Sequence, residues 1–461
     1  MKKLLLLLII TCQLSITNSS AQRIAGGGVH SLALCNDSTV GVWGRNNYGQ
    51  LGNGNNTDSN VPVQVSSLTG VVALAGGQVH SLALKNAGTV WAWGENNNGQ
   101  LGNGNNTDSN VPVQVSNLTG IVTIAAGGGH SLALKSDGTV WAWGRNDYGQ
   151  LGTGNNTSSN VPVQVNGLTG VVAVAGGQYH SLALKNDSTV WAWGRNNTGA
   201  LGNGSNLSSN IPVQTYGLTG VVAIAGGWNH SLALKNDGTV CGWGANGYGQ
   251  LGNGITTIYS NVPVPTINLT GVVSIAGGFG HSLALKNDST VWDWGDNQYG
   301  QLGNGNNTDS NVPMQTSSLT GIVAIASGDY HSFALKINGT LWDWGRNNYG
   351  QLGNGNNTNS NVPVQVSGLC QTITGVQEEN IISSLDIFPN PATNEMTVQS
   401  SEIKVHRIEI INVLGERVYD KQLSTSNVEL QTVDISQLSS GIYFVKVKAE
   451  KGEKVAKFVK E

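Results

Sequence analysis

A histidine recurs about every fifty residues: His30, His80, His130, His180, His230, His281 and His331. Each opens the string HSLAL, or HSFAL in the last copy. Histidine is the side chain best suited to proton transfer near neutral pH. A catalytic histidine needs unlike partners: a nucleophile, an orienting carboxylate, an oxyanion donor. Here all seven have the same sequence neighbours, so no copy stands in an asymmetric setting. Each follows a glycine-rich pair where one strand turns into the next. We therefore read them as structural, with the imidazole bonding a backbone group to pin the turn.

Other patterns that suggest chemistry fail on closer reading. GQLGNG has the glycines of a phosphate loop, but no GK[ST] and no following helix whose N-terminus would hold a phosphate. GNGNNTDSN offers Asn and Asp oxygens without the bidentate acid a Ca²⁺ loop needs. Cys35, Cys241 and Cys370 form no CxxC, so no zinc site is expected. No metal and no cofactor is expected anywhere in the chain. A glycosidase needs paired carboxylates. Glu95 and Asp296 fall in the second and sixth copies, far apart round any ring. Asp293 and Asp343 replace the alanine of WAW in neighbouring copies. They are the best enzymatic candidates, the alternative being a polar strand position bonded to neighbouring backbone.

The elements that carry these residues follow from the repeat. VVALAGG is apolar and β-branched, HSLALK and TVWAWG alternate, VPVQV closes the unit, and NAG, SDG and NDG are tight-turn sequences. Four short strands per copy and seven copies define a seven-bladed β-propeller over residues 22–369, a ring that leaves only short edges. The WAW tryptophans should fill the space between blades. The combination VWAWGxNxxGQLGxG, VPVQV and IAxGxxHSLAL resembles the regulator of chromosome condensation repeat family. The resemblance implies a propeller whose relatives are chiefly protein binders.

After Cys370 the composition changes. Glu95 is the one glutamate of the repeat region; the other ten lie from Glu378 onward. Residues 370–384 read as a linker. LDIFPNPATNEMTV, IEIINVLGERVYDKQL and VDISQLSSGIYFVKV alternate like strands of a small β-sandwich over 385–461. FPNP, NVLGERV, DISQLSSGIYFVKV and the basic final strand resemble the carboxy-terminal sorting domain of the type IX secretion system. That resemblance implies export across the outer membrane, with the secretion machinery as a partner through residues 385–461. The other end agrees. Lys2 and Lys3, the run Leu4 to Ile10 and the small residues before Ala21 read as a signal peptide over 1–21. The run is too short to span a bilayer, so no membrane span is expected in the mature chain. The expected location is secreted or cell-surface. With 23 basic and 27 acidic residues there is no electrostatic case for nucleic acid.

Function in a near-identical repeat should lie where copies differ. In an up-and-down meander, the loops after the first and third strands share one face. They hold Tyr48, Gln78, Glu95, Tyr148, Gln178, Tyr179, Arg195, Trp228, Asn229, Tyr248, Phe279, Asp296, Tyr299, Asp329, Tyr330, Arg346 and Tyr349. Tyr, Trp and Arg are the types enriched at binding hot spots. The reading is an exported, non-enzymatic interaction propeller that binds an unidentified protein or surface glycan through this face. The alternatives are a carbohydrate-binding adhesin, which should repeat equivalent sites in several blades, and a polysaccharide-active enzyme. Cys35 and Cys370 should face each other where blades 1 and 7 meet, and a disulfide between them would lock the ring. Cys241 would then be a buried free thiol.

Overall fold

The computed structural model describes residues 23–369 and, further along, 385–388, 392–400, 405–412, 417–422, 430–439, 441–449 and 452–460. The expected signal peptide at 1–21 and the linker at 370–384, with Cys370, lie outside the described residues. The chain divides into two units, Met1–Gln371 and Thr372–Glu461.

The first unit holds seven four-stranded antiparallel sheets, each taking its strands in chain order. Blade 1 comprises Ile24–Gly26, His30–Leu34, Val40–Gly44 and Ser59–Gln64. Blade 7 comprises Ile322–Ser327, His331–Lys336, Leu341–Gly345 and Ser360–Gln365. The innermost strands of blades 2 to 6 are Val71–Gly76, Ile121–Ala126, Val171–Gly176, Val221–Gly226 and Val272–Gly277. Among the described residues no strand is exchanged between the two ends of the ring.

The core lies between blades. Leu32, Val42 and Leu51 of blade 1 pack on Leu74, Ala83 and Trp93 of blade 2, and the same set recurs round the ring. The second tryptophan of the WAW motif, kept in every blade, is fully buried, as Trp43, Trp93, Trp143, Trp193, Trp243, Trp294 and Trp344. The first is half-buried, with a lysine ammonium over its ring in five blades, 4.6 Å away for Lys135 and Trp141. Strand alternation places both indoles on the side facing the preceding blade, as Trp91 and Trp93 of blade 2 pack against Leu32 and Val42 of blade 1.

In the second unit, Leu385–Phe388, Glu395–Ser400 and Leu430–Asp434 form one sheet. Arg417–Gln422, Val405–Asn412, Gly441–Ala449 and Gly452–Lys460 form the other. Met396, Val398, Ile408, Ile410, Val445 and Phe458 are buried together between them, as a sandwich requires.

Candidate partner-binding face

The histidines come first, because they set the spacing of everything above them. Each Nε2 meets the serine hydroxyl of the next blade. His30 reaches Ser81 at 2.8 Å, His180 reaches Ser231 at 2.9 Å, and His331 reaches Ser31 at 2.8 Å to close the circle. Each serine hydroxyl donates to a backbone carbonyl of the blade before it, as Ser81 does to Gln50 O at 2.9 Å. With its one proton so used, the hydroxyl can only accept from imidazole, which fixes the Nε2–H tautomer. The same carbonyl accepts the buried indole N–H, as from Trp93 Nε1 at 2.9 Å. The histidines therefore join neighbouring blades through side chains and do not bond a backbone group in their own turn. Burial holds them neutral, taking His30 from 6.5 to about 3 and His80 to about 4. The glycine before each loop is forced: a Cβ on Gly77 would lie 2.1 Å from His80 Cε1.

Above this ring the chain turns back, and the loops after the first and third strands of every blade emerge on one face. The amides beside the axis form a closed girdle. Gly28 N donates to Gln78 O at 3.1 Å, Gln78 N to Gly128 O at 3.3 Å and Gly128 N to Gln178 O at 3.2 Å. Gln178 N donates to Trp228 O at 3.2 Å and Trp228 N to Gly278 O at 3.0 Å. Phe279 N to Asp329 O at 2.8 Å and Asp329 N to Gly28 O at 3.3 Å complete it. Inside lies an axial cavity of about 140 Å³, lined by glycine backbone with Gln78, Gln178, Trp228 and Asp329.

Outside the girdle the side chains form a crescent over blades 3 to 7. Ring centroids are 5.3 Å apart for Tyr148 and Tyr179, 6.4 Å for Tyr179 and Trp228, and 4.5 Å for Trp228 and Phe279. Phe279 stacks on Tyr330 at 4.7 Å, and Tyr330 meets Tyr299 edge-on at 5.3 Å. Guanidinium groups cap both ends. Arg195 lies 5.0 Å from Tyr148 and 5.3 Å from Tyr179, with Arg145 5.1 Å from Tyr179. Arg346 lies 5.2 Å from Tyr299 and 5.6 Å from Tyr330, and Arg45 lies 4.9 Å from Tyr349. Such contacts place the guanidinium groups within cation–π range of the aromatic rings.

The crescent gathers Tyr148, Tyr179, Arg195, Trp228, Phe279, Tyr299, Tyr330, Arg346 and Tyr349 from the sequence-predicted set. Tyr248 is exposed and lies over Gly280, where a Cβ would come within 2.8 Å of its ring. Asn229 lies at the crescent, and its backbone carbonyl accepts from Ala245 N at 2.8 Å. Tyr48 and Glu95 stand apart on blades 1 and 2. Glu95 accepts from Asn97 and Gln100, and partial burial raises its pKa. Asp296 is 1 % exposed and satisfied by Gln298, so it is a buried loop anchor. Gln178 is 7 % exposed and faces the channel. Arg45 and Arg145 were not singled out by sequence; their signal was the recurrent arginine directly after WG. The serines that pair with the histidines were also missed, although they share the same period.

The enzymatic candidates lie elsewhere. Asp293 and Asp343 are both 0 % exposed inside the sheets, and burial raises both carboxyls well above the usual range. Asp293 accepts from Thr316 Oγ1. Neither can meet a substrate from the loop face. Cys35 is disulfide-bonded. Cys241 is free, and it is partly exposed where the sequence suggested burial, with burial still raising its thiol pKa.

Fold and face together define a closed seven-bladed propeller with one differentiated loop surface and a separate β-sandwich tail. Residues 108–384 match the RCC1-like domain, and 39–84 and 71–100 match regulator of chromosome condensation (RCC1) repeats. The chain belongs to the RCC1-like domain family. Residues 386–461 match the secretion system C-terminal sorting domain, which marks a protein exported to the cell surface or beyond by type IX secretion. Among solved structures, Prp20p of Saccharomyces cerevisiae, described with its binding to Gsp1p and histones, is 25% identical. It covers 81% of this chain and 91% of its own at a TM-score of 0.67. Human WBSCR16 is 27% identical with a TM-score of 0.65, covering 71% of this chain and 94% of its own. The ultraviolet-B receptor UVR8 of Arabidopsis thaliana is 45% identical over 51 residues, 11% of this chain and 12% of that protein. The ulvan lyase NLR42 of Nonlabens ulvanivorans is 29% identical over 68 residues, 15% of this chain and 12% of that protein. The chain thus spans about an eighth of the length of each of these two relatives.

Proposed function

We propose that the propeller is a non-enzymatic binding module that engages a protein or surface partner through the aromatic and arginine crescent, with the tail serving only delivery. One observation carries the reading. Six aromatic rings in unbroken contact, capped by arginines at both ends, occupy five blades, while blades 1 and 2 carry no such chain. A near-perfect repeat has no folding reason to differ there, because the bonds that hold the ring lie beneath. Rigid aromatic anchors with flanking arginine suit one asymmetric partner.

A second reading has its own support. The half-buried tryptophans under lysine, Trp91, Trp141, Trp191, Trp292 and Trp342, repeat as five equivalent sites. Equivalent sites are what an adhesin binding a repeating glycan would use.

The two separate by capture from surface extracts, using the exported chain and a Trp228→Ala/Phe279→Ala/Tyr330→Ala triple variant. The crescent reading expects a protein or glycan partner held by the parent chain and lost by the variant. A partner held equally by both, and released by Trp141→Ala with Trp191→Ala, would establish the glycan ring in its place.

A further inference from the structure

At the centre of the face stands a carboxylate that the fold leaves unanswered. Asp329 borders the axial cavity with Gln78, Gln178 and Trp228. Among the described residues no hydrogen bond or ion pair reaches its carboxylate, and Arg346 acts on it only through space. Arg346 is instead held against Tyr299, Tyr330 and Tyr349. The glycines of the girdle open this space. A Cβ on Gly28 would lie 2.8 Å from Asp329 Oδ2, and one on Gly128 would lie 2.3 Å from Gln178 Oε1. Both side chains therefore lie over a neighbour's glycine at the mouth. Gln178 Nε2 donates to Gln78 Oε1 at 2.9 Å, which leaves Gln178 Oε1 as an acceptor.

We propose that the channel mouth binds a primary ammonium group, the end of a lysine side chain presented by the partner, with Asp329 as counter-ion, Gln178 Oε1 as second acceptor and the Trp228 ring as wall. The chemistry of the site selects that head group. It offers a carboxylate, an amide oxygen and an aromatic surface, which match a compact cation with three donors and no acceptor. A guanidinium would bring five donors in a flat fork. A divalent metal would have one charged ligand, and no group of three His, Cys, Asp or Glu side chains able to hold a metal occurs among the described residues. A cavity of about 140 Å³ suits an ammonium with its last methylenes. The proposal rests on the crescent being the working face and supplies its centre.

The charged and titratable groups around Asp329 are Arg346, Tyr330 and, beyond Tyr330, Asp296. Burial pushes Asp329 up to about 7, so it is ionised above neutral pH and protonated below. A lysine ammonium stays charged throughout, with a pKa of about 10.4. Binding to this site therefore strengthens as pH rises through neutrality.

The test uses the full chain and two small probes, Nα-acetyl-lysine methylamide and its uncharged isostere Nα-acetyl-norleucine methylamide, followed by calorimetry at about pH 8.5 and about pH 5.5. The lysine probe is expected to saturate with a dissociation constant on the order of millimolar at the higher pH. It should bind at least about tenfold more weakly at the lower pH, and the isostere should not saturate. Asp329→Asn should abolish the pH dependence and weaken binding by about tenfold or more. Equal binding of the two probes, or no saturable binding of either by the parent chain, overturns the proposal without help from any variant. A pH dependence that survives in Asp329→Asn belongs to another group and also overturns it. None of these readouts needs the partner, so the ammonium site can fail while capture by the crescent stands, and the reverse.

Discussion

His331 of blade 7 lies 2.8 Å from the hydroxyl of Ser31 in blade 1, the same bond that joins every other pair of neighbouring blades. Trp43 Nε1 donates to Gln351 O across this seam at 2.8 Å, and Gly355 N donates to Asn60 O at 2.9 Å, again as elsewhere in the ring. The seam is chemically one more blade boundary, so the ring closes on repeated side-chain bonds.

Acid should open this ring. The histidines are buried and neutral, with values near 3 for His30, His130, His230, His281 and His331 and near 4 for His80 and His180. Unfolded histidine titrates at about 6.5. Between those values the unfolded chain binds protons that the folded chain does not, so stability falls as pH falls. Each histidine contributes a slope of about 1.4 kcal/mol per pH unit. Glu95, Asp293, Asp296, Asp329 and Asp343, with raised carboxyl pKa values, oppose the trend but number five against seven. Denaturant midpoints measured from about pH 7 to about pH 4 should fall steeply and continuously. A flat profile would show that the imidazoles are reached by protons in the folded ring.

How much of this was legible beforehand depended on what repeats. Strand order follows from the alternation that a single copy already displays, and blade number from counting the copies. The acceptor of each imidazole did not, because the serine lies next to a histidine in sequence while bonding the histidine of the blade before. The grouping of loop residues onto one face was legible from the meander. The division into crescent and channel was not. It depends on how far each side chain stands from the axis, as with Gln178 facing inward and Tyr179 facing the crescent.

Blade 1 departs from the repeat in a coordinated way. Cys35 stands where other blades have lysine, and Gly41 where every other blade but the fifth, which has Cys241, has the first tryptophan. Leu369 fills the vacated space, with its Cδ1 3.0 Å from where a Gly41 Cβ would be. The next residue is Cys370. Since Cys35 is bonded and Cys241 is free, we propose Cys370 as its partner. Peptide mapping of the unreduced chain should find residues 35 and 370 in one cross-linked fragment. Cys370→Ser should cost about 2–5 kcal/mol, because the lost loop spans nearly the whole ring. A cross-link to any other cysteine would refute the pairing.

Asp343 should be a liability to stability. It occupies the position of Ala92, Ala142 and Ala192, is fully buried, and neither carboxyl oxygen accepts a side-chain hydrogen bond. Asp343→Ala is expected to stabilise the propeller by about 1–3 kcal/mol. A raised folded pKa means stability is lost as pH rises above the unfolded value of about 3.9, so the gain should be larger at neutral pH than at about pH 4. Asp293→Ala should gain less, since that carboxyl is bonded to Thr316. Thermal unfolding of the two variants side by side decides it, and an equal or larger gain from Asp293 would contradict the burial argument.

The turns between second and third strands carry their own internal control. Gly88, Gly138, Gly238 and Gly339 adopt φ between 71° and 84°, where the absence of a Cβ removes the clash. Blades 1, 4 and 6 put Ser38, Ser188 and Ser289 at the same place with φ of 64° to 65°, so the fold imposes the left-handed turn whichever residue occupies it. The serine hydroxyls make no hydrogen bond there among the described residues, while the turn is held by backbone, as in Ser188 N to Lys185 O at 2.9 Å. Replacing serine by glycine keeps that bond and removes the strain, at the cost of a more flexible unfolded chain. Relief of about 1–2 kcal/mol per left-handed residue against a glycine penalty of about 0.5–1 kcal/mol leaves a net gain of roughly 0.5–1 kcal/mol per site. Because the three sites lie in separate blades, the triple Ser38→Gly/Ser188→Gly/Ser289→Gly variant should gain the sum of the single effects. A loss in the single variants by chemical denaturation would mean that the serine side chains hold these turns.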